Sequence, residues 1–228
     1  NKNQYHVGPT SLVLRMQKGM TQFPLVQLPT LRILNLSDNM DLTVPPNLGG
    51  CTNLQQVYLS NTGLAAPPNL EGCTGLTLLE MNDSKRLSRM PGLAGFTNLT
   101  TLHIKGCSKL TTGPDLTNCT ALYTLLMNDC TNLTMPPNLG NCTALDTLYM
   151  KACTRLTESP GFADCAALRV LNMQGCSMLT TPPVLANCNH LKFLVMTGCT
   201  ALTARPLLAT GVVLRQECLP SHLPVESV

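Results

Sequence analysis

Residues 137–160 read PNLGNCTALDTLYMKACTRLTESP, and variants of this phrase fill most of the 228-residue chain. Its leucine Leu145 belongs to a series of nine leucines whose spacings are 23, 22 and then six times 23 residues: Leu31, Leu54, Leu76, Leu99, Leu122, Leu145, Leu168, Leu191 and Leu214. A pattern repeated at a fixed period of about 20 to 29 residues is typical of a stacked-repeat solenoid. We therefore predict one elongated domain of about ten coils, although the length alone might suggest two domains.

Each coil carries one short segment with the alternation of a β-strand. Leu145, Leu148 and Met150 are expected to point inward, while Tyr149 and Lys151 point outward, because successive side chains of a strand face opposite sides. Stacked coils would then place parallel strands about 4.8 Å apart. Such a sheet lines one face of a curved solenoid, and no single coil can enclose its own apolar side.

The return leg of each coil carries a proline, and an apolar anchor follows two residues later in most coils. Proline fixes φ and lacks an N–H, so an α-helix on this leg is improbable. We expect a repeat solenoid, mainly β: a curved horseshoe with a parallel sheet on its concave face and extended or 3₁₀ segments on the convex side. The prolines are Pro24, Pro46, Pro68, Pro91, Pro114, Pro137, Pro160, Pro183 and Pro206.

Eleven of the twelve cysteines occupy two positions of the repeat. In other coils the first position holds Leu28 or Phe96, which indicates that cysteine serves there as a small hydrophobic side chain. The second also accepts Asn39, Thr62 and Ser84, which indicates a donor for backbone carbonyls where the chain leaves the strand. The first ladder is Cys51, Cys73, Cys119, Cys142, Cys165 and Cys188, and the second is Cys107, Cys130, Cys153, Cys176 and Cys199.

Disulfides and zinc are the alternatives for these thiols. An even cysteine count suits a secreted disulfide framework, and six N-x-S/T triplets would suit glycans on a secreted recognition protein. However, the two ladders should lie on opposite sides of a coil, thiols within a ladder run parallel, and no C-x-x-C spacing exists. Free buried thiols favour a reducing, cytoplasmic compartment. Cys218 fits neither ladder and is the candidate for a reactive or intermolecular thiol.

The outward strand positions vary between coils, whereas the inward positions barely change. A rigid, preformed surface loses little conformational freedom on binding, so we predict that a protein partner binds the concave face. Tyrosines are the natural anchors of such a face, and two lysines and a histidine give it a mildly basic centre. The alternative is that these outward side chains bind nothing and only keep the sheet soluble. The predicted binding residues are Tyr58, Glu80, His103, Lys105, Asn128, Tyr149, Lys151, Asn172 and Phe193.

Signs of chemistry are absent from the sequence. It contains no Ser-His-Asp order, no glycine-rich phosphate loop and no carboxylate pair at catalytic spacing, so we predict no enzyme, no catalytic residue, no cofactor and no metal. The net charge of +3 is too small and scattered to argue for nucleic acid. No transmembrane span or secretory segment is recognisable, and no membrane partner is expected.

The two ends depart from the repeat. We assign residues 1–9 to an N-terminal lead-in, 10–214 to the solenoid and 215–228 to a C-terminal cap or loose tail, because Glu217 stands where a buried leucine is due. The chain starts without methionine, which is consistent with a piece of a longer protein. An exposed end coil or the tail would permit a homodimer, so a self-assembling scaffold is the alternative function.

The phrase L-x-x-C-T-x-L-x-x-L-x-M-x-x-C-T-x-L-T-x-x-P, seen from Leu139 to Pro160 and with one change from Leu185 to Pro206, resembles the leucine-rich repeats of plant-type intracellular immune receptors and of protist proteins. The resemblance covers nearly all of residues 10–214. It implies a region that recognises a partner or holds a larger receptor inactive, while a separate nucleotide-binding module switches. The G-x-x-x-x-G-K-[ST] of such a module does not occur here. The expected function is a non-catalytic protein–protein interaction module, with the ligand-recognition part of a larger receptor as a further alternative.

Overall fold

The structure, a computed structural model, describes residues 5–7, 10–23, 29–212 and 219–223. This part of the chain forms short β-strands joined by turns and contains no α-helix. The strands are β1 (Tyr5–Val7), β2 (Ser11–Leu14), β3 (Ile33–Asn35), β4 (Gln56–Tyr58), β5 (Leu78–Glu80), β6 (Thr101–His103), β7 (Thr124–Leu126), β8 (Thr147–Tyr149), β9 (Val170–Asn172), β10 (Val184–Leu185), β11 (Phe193–Val195) and β12 (Leu207–Leu208).

Ten of these strands form one sheet in the order β1-β2-β3-β4-β5-β6-β7-β8-β9-β11. From β2 to β11 every neighbouring pair is parallel, and β1 joins the first edge antiparallel to β2. The nine parallel strands bound eight complete turns, so the fold is a repeat β-solenoid. The prediction of a mainly β repeat solenoid is confirmed, with about eight turns in the described residues where about ten coils were expected.

The predicted alternation is present in nearly every coil. The three-residue strands β3 to β9 each bury their central side chain and leave the two outer ones half-buried. Leu125 and Leu148, for example, have no exposed surface. These central leucines join the Met or Leu two positions later and the anchors of the return leg in one continuous core. Burial therefore follows from stacking, as expected for a solenoid.

A left-handed residue ends the strand segment of each coil. Positive φ is adopted mainly by Gly, Asn and Asp, whose side chains are absent or short and polar. Ala152, with φ of 58°, is an exception within the sheet. A Cβ on Gly106 would collide with the side chain of Asp83 in the preceding coil. The residues of this turn are Met16, Asp38, Asn61, Asp83, Gly106, Asp129, Ala152, Gly175 and Gly198.

The proline side is extended, as predicted. Strands β10 and β12 pair in parallel there, and isolated bridges join Asn47 to Asn69 and Asp115 to Asn138. No 3₁₀ helix forms in the described residues. Single turns replace it: Cys51 N donates to Leu48 O at 3.0 Å. Successive turns of this kind begin three residues apart, so their hydrogen bonds do not overlap into a helix.

The one 22-residue spacing of the series, from Leu54 to Leu76, reflects a missing residue at Gly63. Two residues separate Asn39 from Leu42 in the preceding coil, whereas Gly63 alone separates Thr62 from Leu64. A Cβ on Gly63 would overlap the carbonyl oxygen of Met40, which is backbone and cannot move aside. Glycine is therefore the residue that lets the shorter coil stack in register.

All eleven cysteines of the two ladders are buried and free. In the second ladder each thiol donates to a backbone carbonyl 26 residues earlier, as Cys107 does to Met81 O at 3.1 Å and Cys199 to Met173 O at 3.1 Å. Asn39 fills the same position and donates to Leu14 O at 2.7 Å. The predicted role of this position is confirmed.

The first ladder does more than fill space. Cys73 donates to Leu48 O at 3.2 Å and Cys119 donates to Leu93 O at 3.1 Å. The presence of Leu or Phe at this position of other coils concealed this second use, because Phe96 packs against the core and has no thiol to donate. Both ladders thus join neighbouring coils through weak thiol donors.

These thiols are expected to be unreactive in the folded protein. Burial raises the pKa of Cys107 and Cys130 to about 12 and that of Cys73 to about 11, so the reactive thiolate is scarce near neutral pH. Native protein at pH 8 should therefore label at no more than one site with a small disulfide reagent, whereas twelve thiols should react in denaturant. A Cys218→Ser variant identifies that one site. Rapid labelling of several thiols in the native state would contradict the burial of the ladders.

Both ends carry additional contacts. At the first edge, β1 pairs Tyr5 with Leu14 and Val7 with Leu12, an antiparallel strand that the assignment of residues 1–9 to a lead-in did not foresee. It covers backbone groups that a free edge would leave unpaired. At the other end, the described part of the tail packs on the core: Leu219 and Leu223 are buried, and the ring of His222 bonds Leu202 O at 2.7 Å. Leu214 and residues 215–218, including Cys218, lie outside the described residues.

No helix in the described part of the chain has the length and apolar character needed to cross a bilayer.

Candidate partner-binding face

The strand register places the predicted binding residues on one face of the sheet. Central positions of successive coils lie side by side, since Tyr58 pairs with Glu80, and Glu80 with His103. Backbone hydrogen bonds continue this alignment past the strand ends, as from Asp129 N to Lys151 O at 2.8 Å. We call the outward rows the strand face. Its central row is Asn35, Tyr58, Glu80, His103, Leu126, Tyr149, Asn172 and Val195.

Two further rows flank the central one. The row before it runs through the first strand residues and contains Phe193, which pairs with Val170. The row after it lies just past the strands and contains Lys105, Asn128 and Lys151. All nine predicted residues therefore belong to the strand face, in rows that advance about 4.8 Å from one strand to the next. The register brings them into one surface; it does not converge them on one point, as a catalytic site would require.

Glu80 is the centre of a small hydrogen-bonded cluster. Ser60 Oγ donates to Glu80 Oε1 at 2.7 Å, and His103 Nδ1 lies 3.8 Å from Glu80 Oε2. The nearby imidazole of His103 is the largest cause that lowers the pKa of Glu80, and the hydrogen bond from Ser60 adds to it. Both side chains are about one-quarter exposed, at 24% for His103 and 27% for Glu80. The predicted basic centre thus contains an acid that already holds the histidine.

This cluster predicts a pH-dependent contribution to stability. Because the pKa of Glu80 is lower in the folded protein than the ordinary glutamate value of 4.5, ionised Glu80 stabilises the fold above that value. The contribution is lost as the pH falls through the lower, folded value. Glu80→Gln should therefore reduce the unfolding free energy at pH 6 by about 1 kcal/mol or less and by still less at pH 3. Urea unfolding of the native protein and of Glu80→Gln at pH 6 and pH 3 measures this difference. An equal loss of unfolding free energy at the two pH values would contradict the prediction.

The asparagines of the face shape its backbone. Asn128 Oδ1 accepts a hydrogen bond from Lys151 N in the next coil at 2.9 Å, and Asn82 Oδ1 accepts one from Lys105 N at 2.9 Å. Asn172 Oδ1 accepts from Gln174 N within its own coil at 3.0 Å. Asn128 therefore helps to fix the backbone at Lys151, and Asn172 that at Gln174, a role that was not predicted from the sequence.

The aromatic residues differ in what they offer. Tyr58 donates its hydroxyl to Gln56 Oε1 at 3.1 Å and is half-buried, as is Tyr149. Phe193 is 62% exposed, the one large apolar side chain of the strand face that stands out this far among the described residues. Tyrosines can contribute area and a hydroxyl to a contact, whereas Phe193 can contribute only apolar surface.

Charged groups on the face are distributed unevenly. Arg169 Nε lies 3.4 Å from Asp146 Oδ1, and Asp146 also accepts a bond from Thr147 Oγ1 at 2.9 Å. Sequence analysis missed this pair, although the period places the two residues side by side. Lys105 and Lys151 are exposed and form no ion pair among the described residues. They are the charges that the face leaves available.

The described side chains of the strand face offer little basis for metal binding or for nucleophilic catalysis. No group of three His, Cys, Asp or Glu side chains that could hold a metal ion occurs among the described residues. Ser60 bonds Glu80 rather than His103, so the cluster lacks the contact from base to nucleophile that acyl transfer needs. Its carboxylate serves to orient neighbouring side chains.

A cleft of about 500 Å³ opens on the proline side, away from the strand face. It is lined by Pro67, Pro68, Glu71, Arg89 and Phe96, among others. The larger side chain of Phe96 occupies the position that cysteine fills in most coils. Sequence analysis noted that substitution but could not foresee a cleft, because the space depends on how two proline legs stack.

No model of a known protein family matches the chain, and no curated protein matches it. The repeat and its strand face are therefore the basis on which a function can be argued.

Proposed function

We propose that the chain is a leucine-rich-repeat module that binds a protein partner on its strand face and catalyses no reaction. The class is supported by the 23-residue period, by the leucines at its strand positions and by the donor at the second cysteine position, which bonds the preceding coil. The predicted location is a reducing compartment, where eleven free thiols persist.

One observation carries the binding role. The strand face holds side chains of different chemistry in fixed rows, while the inward positions stay Leu or Met almost throughout. Hydrogen bonds such as Lys151 N to Asn128 Oδ1 fix the backbone under these rows. A rigid surface loses little conformational freedom on association, so its side chains can contribute most of their contact energy.

Affinity capture from a matched cell extract tests this role. The binding variant combines Tyr58→Ala, His103→Ala, Lys105→Glu, Tyr149→Ala and Lys151→Glu. The control variant reverses two exposed lysines that lie outside the strand face, Lys85→Glu and Lys109→Glu, so that the same number of charges is reversed on another surface. Circular dichroism and thermal melting should show that all three proteins are folded, since outward substitutions cost little stability.

A protein held by the native chain and by the control, and lost from the binding variant, supports the proposal. Equal capture by all three proteins would make the strand face a solubility surface. Capture of the chain only by itself would favour the alternative of a self-assembling scaffold. Size measured against concentration, with and without reductant, then distinguishes association through the ends from association through Cys218.

A further inference from the structure

The strand face changes character over its last coils, residues 145–197. Phe193 of β11 stands beside Val170 of β9 in the paired register, and Val195 lies two residues further along the same strand. Phe193 is 62% exposed, and Val170 and Val195 are half-buried. These three side chains form an apolar cluster around the most exposed apolar residue of the strand face, and we call it the Phe193 cluster. Such a cluster is suited to receive one large apolar side chain of a partner.

Two free cations lie on opposite sides of the Phe193 cluster. Lys192 immediately precedes Phe193, at the margin where the strands begin and outside the three rows, and Lys151 lies two coils away, in the row past the strand ends. Both are exposed, and neither forms an ion pair among the described residues. The acid of these coils on the same face, Asp146, is only 8% exposed and is held by Arg169. The charge left for a partner is therefore positive.

The earlier coils do not share this excess. Glu80 is held by Ser60 and His103, and Asp38 pairs with Arg15. Asp83 N donates to Lys105 O and Asp129 N to Lys151 O, so each of these turn carboxylates lies near one lysine and reduces its field, whereas Lys192 has no such neighbour among the described residues of this row. Positive charge beside exposed apolar surface is thus concentrated in residues 145–197. Complementary charge steers a partner and fixes its register, while the apolar contact supplies affinity.

We propose that residues 145–197 of the strand face bind an acidic peptide segment with a large apolar residue at its centre. This inference rests on the proposed function and names its partner chemistry. The apolar side chain packs on the Phe193 cluster. Carboxylates on either side of it reach Lys151 and Lys192, which lie at opposite ends of the strand direction. Lys151 follows β8 and Lys192 precedes β11, two coils away, so the segment crosses the strands obliquely, with each residue of an extended chain advancing about 3.3 Å.

Fluorescence anisotropy tests the proposal with a labelled nine-residue peptide, two Glu on each side of a central Phe in a Gly/Ser background. One control peptide replaces each Glu with Lys, and another replaces Phe with Ala. The proteins are the native chain, Lys151→Glu/Lys192→Glu, Phe193→Ser, and the charge-matched control Lys85→Glu/Lys109→Glu. All four should melt together, because every substituted side chain is exposed.

The native chain and the Lys85/Lys109 control should bind the Glu–Phe peptide equally, within about twofold. Reversing Lys151 and Lys192 should weaken binding by about tenfold or more, since two favourable charge contacts become repulsive. Phe193→Ser should weaken binding by a comparable factor, and the Ala peptide should mimic this loss. Affinity should also fall with added salt, because exposed charges are screened.

Three results would overturn the inference: no binding of the Glu–Phe peptide, equal weakening by the Lys85/Lys109 control, or equally tight binding of a single-stranded oligonucleotide, which would indicate a general polyanion surface. The proposed function fails separately. If the peptide is not bound while the strand-face variant still loses a captured protein, the face binds a partner of different chemistry. If the peptide is bound but no protein is captured, the inferred chemistry holds and the extract lacked the partner.

Discussion

Leu125→Ala is expected to lower the free energy of unfolding by about 2–5 kcal/mol. Leu125 is the central residue of β7 and has no exposed surface. Its removal leaves a cavity in the middle of the solenoid, where coils on both sides contact it and cannot collapse fully. Because each coil is stabilised chiefly by its neighbours, the loss should weaken both halves of the molecule. Urea unfolding followed by circular dichroism measures it.

The neighbouring substitution, Leu126→Ala, is the matched control. Leu126 has the same chemistry but lies on the strand face and is half-buried. Its truncation should cost about 1 kcal/mol or less, since solvent replaces the lost methyl groups instead of a void. Similar losses for the two leucines would show that the strand does not alternate as described. A broadened transition for Leu125→Ala alone would indicate that the two halves unfold separately.

Gly63→Ala is expected to destabilise the fold by about 1–3 kcal/mol or more, the cost of forcing extra atoms into a close-packed position. The added methyl group would overlap the carbonyl oxygen of Met40. Relief requires a backbone shift of one coil against the next. The midpoint of urea unfolding should fall, with the slope of the transition unchanged if two-state behaviour is kept.

Gly161→Ala provides the comparison. A Cβ at Gly161 meets nothing within 4 Å, and its φ is not positive. Alanine there should stabilise the protein by about 0.4–1 kcal/mol, because it restricts the unfolded chain. Changes of opposite sign in the unfolding free energy would show that the close approach of backbone atoms at Gly63, rather than the loss of a glycine, decides the effect of the substitution. A neutral Gly63→Ala would mean that the coils can separate there at little cost.

The repeat predicted the fold because it carries two kinds of information, the spacing between coils and the alternation of side chains within a coil. Spacings of 23 residues predicted stacked coils, and the alternation around residues such as Leu148 predicted which side chains are buried. Substitutions within one position were equally informative: Asn39 in place of cysteine predicted the donor to a backbone carbonyl. Repeats make this possible because equivalent positions have equivalent surroundings in every coil, so the residues found at one position show what that position requires.

The candidate site was predictable as a surface and not as a set of contacts. Register follows from the period, so the alignment of Glu80 with His103 could be foreseen. Whether two aligned side chains bond depends on their rotamers and on competing partners, which the spacing does not encode. Asp146 bonds Arg169, whereas Lys105 and Lys151 pair with nothing described, and that difference determines the charge of the face.

The bond from His222 to Leu202 O has a consequence for shortening the chain. In most coils the side-chain donor that follows the strand bonds a carbonyl of the preceding coil, as Cys199 does with Met173 O, whereas Thr62 donates to Leu59 O of its own coil. Trimming from the two ends is therefore not equivalent. For these side-chain bonds, loss of a leading coil would leave thiol donors without acceptors, whereas loss of a trailing coil would leave main-chain carbonyls of the core without this donor. The backbone hydrogen bonds between coils run in both directions, as from Gln55 N to Arg32 O and from Leu36 N to Tyr58 O. At the C-terminal end His222 bonds a different carbonyl, that of Leu202, so removal of residues 219–223 should leave this carbonyl without its side-chain partner.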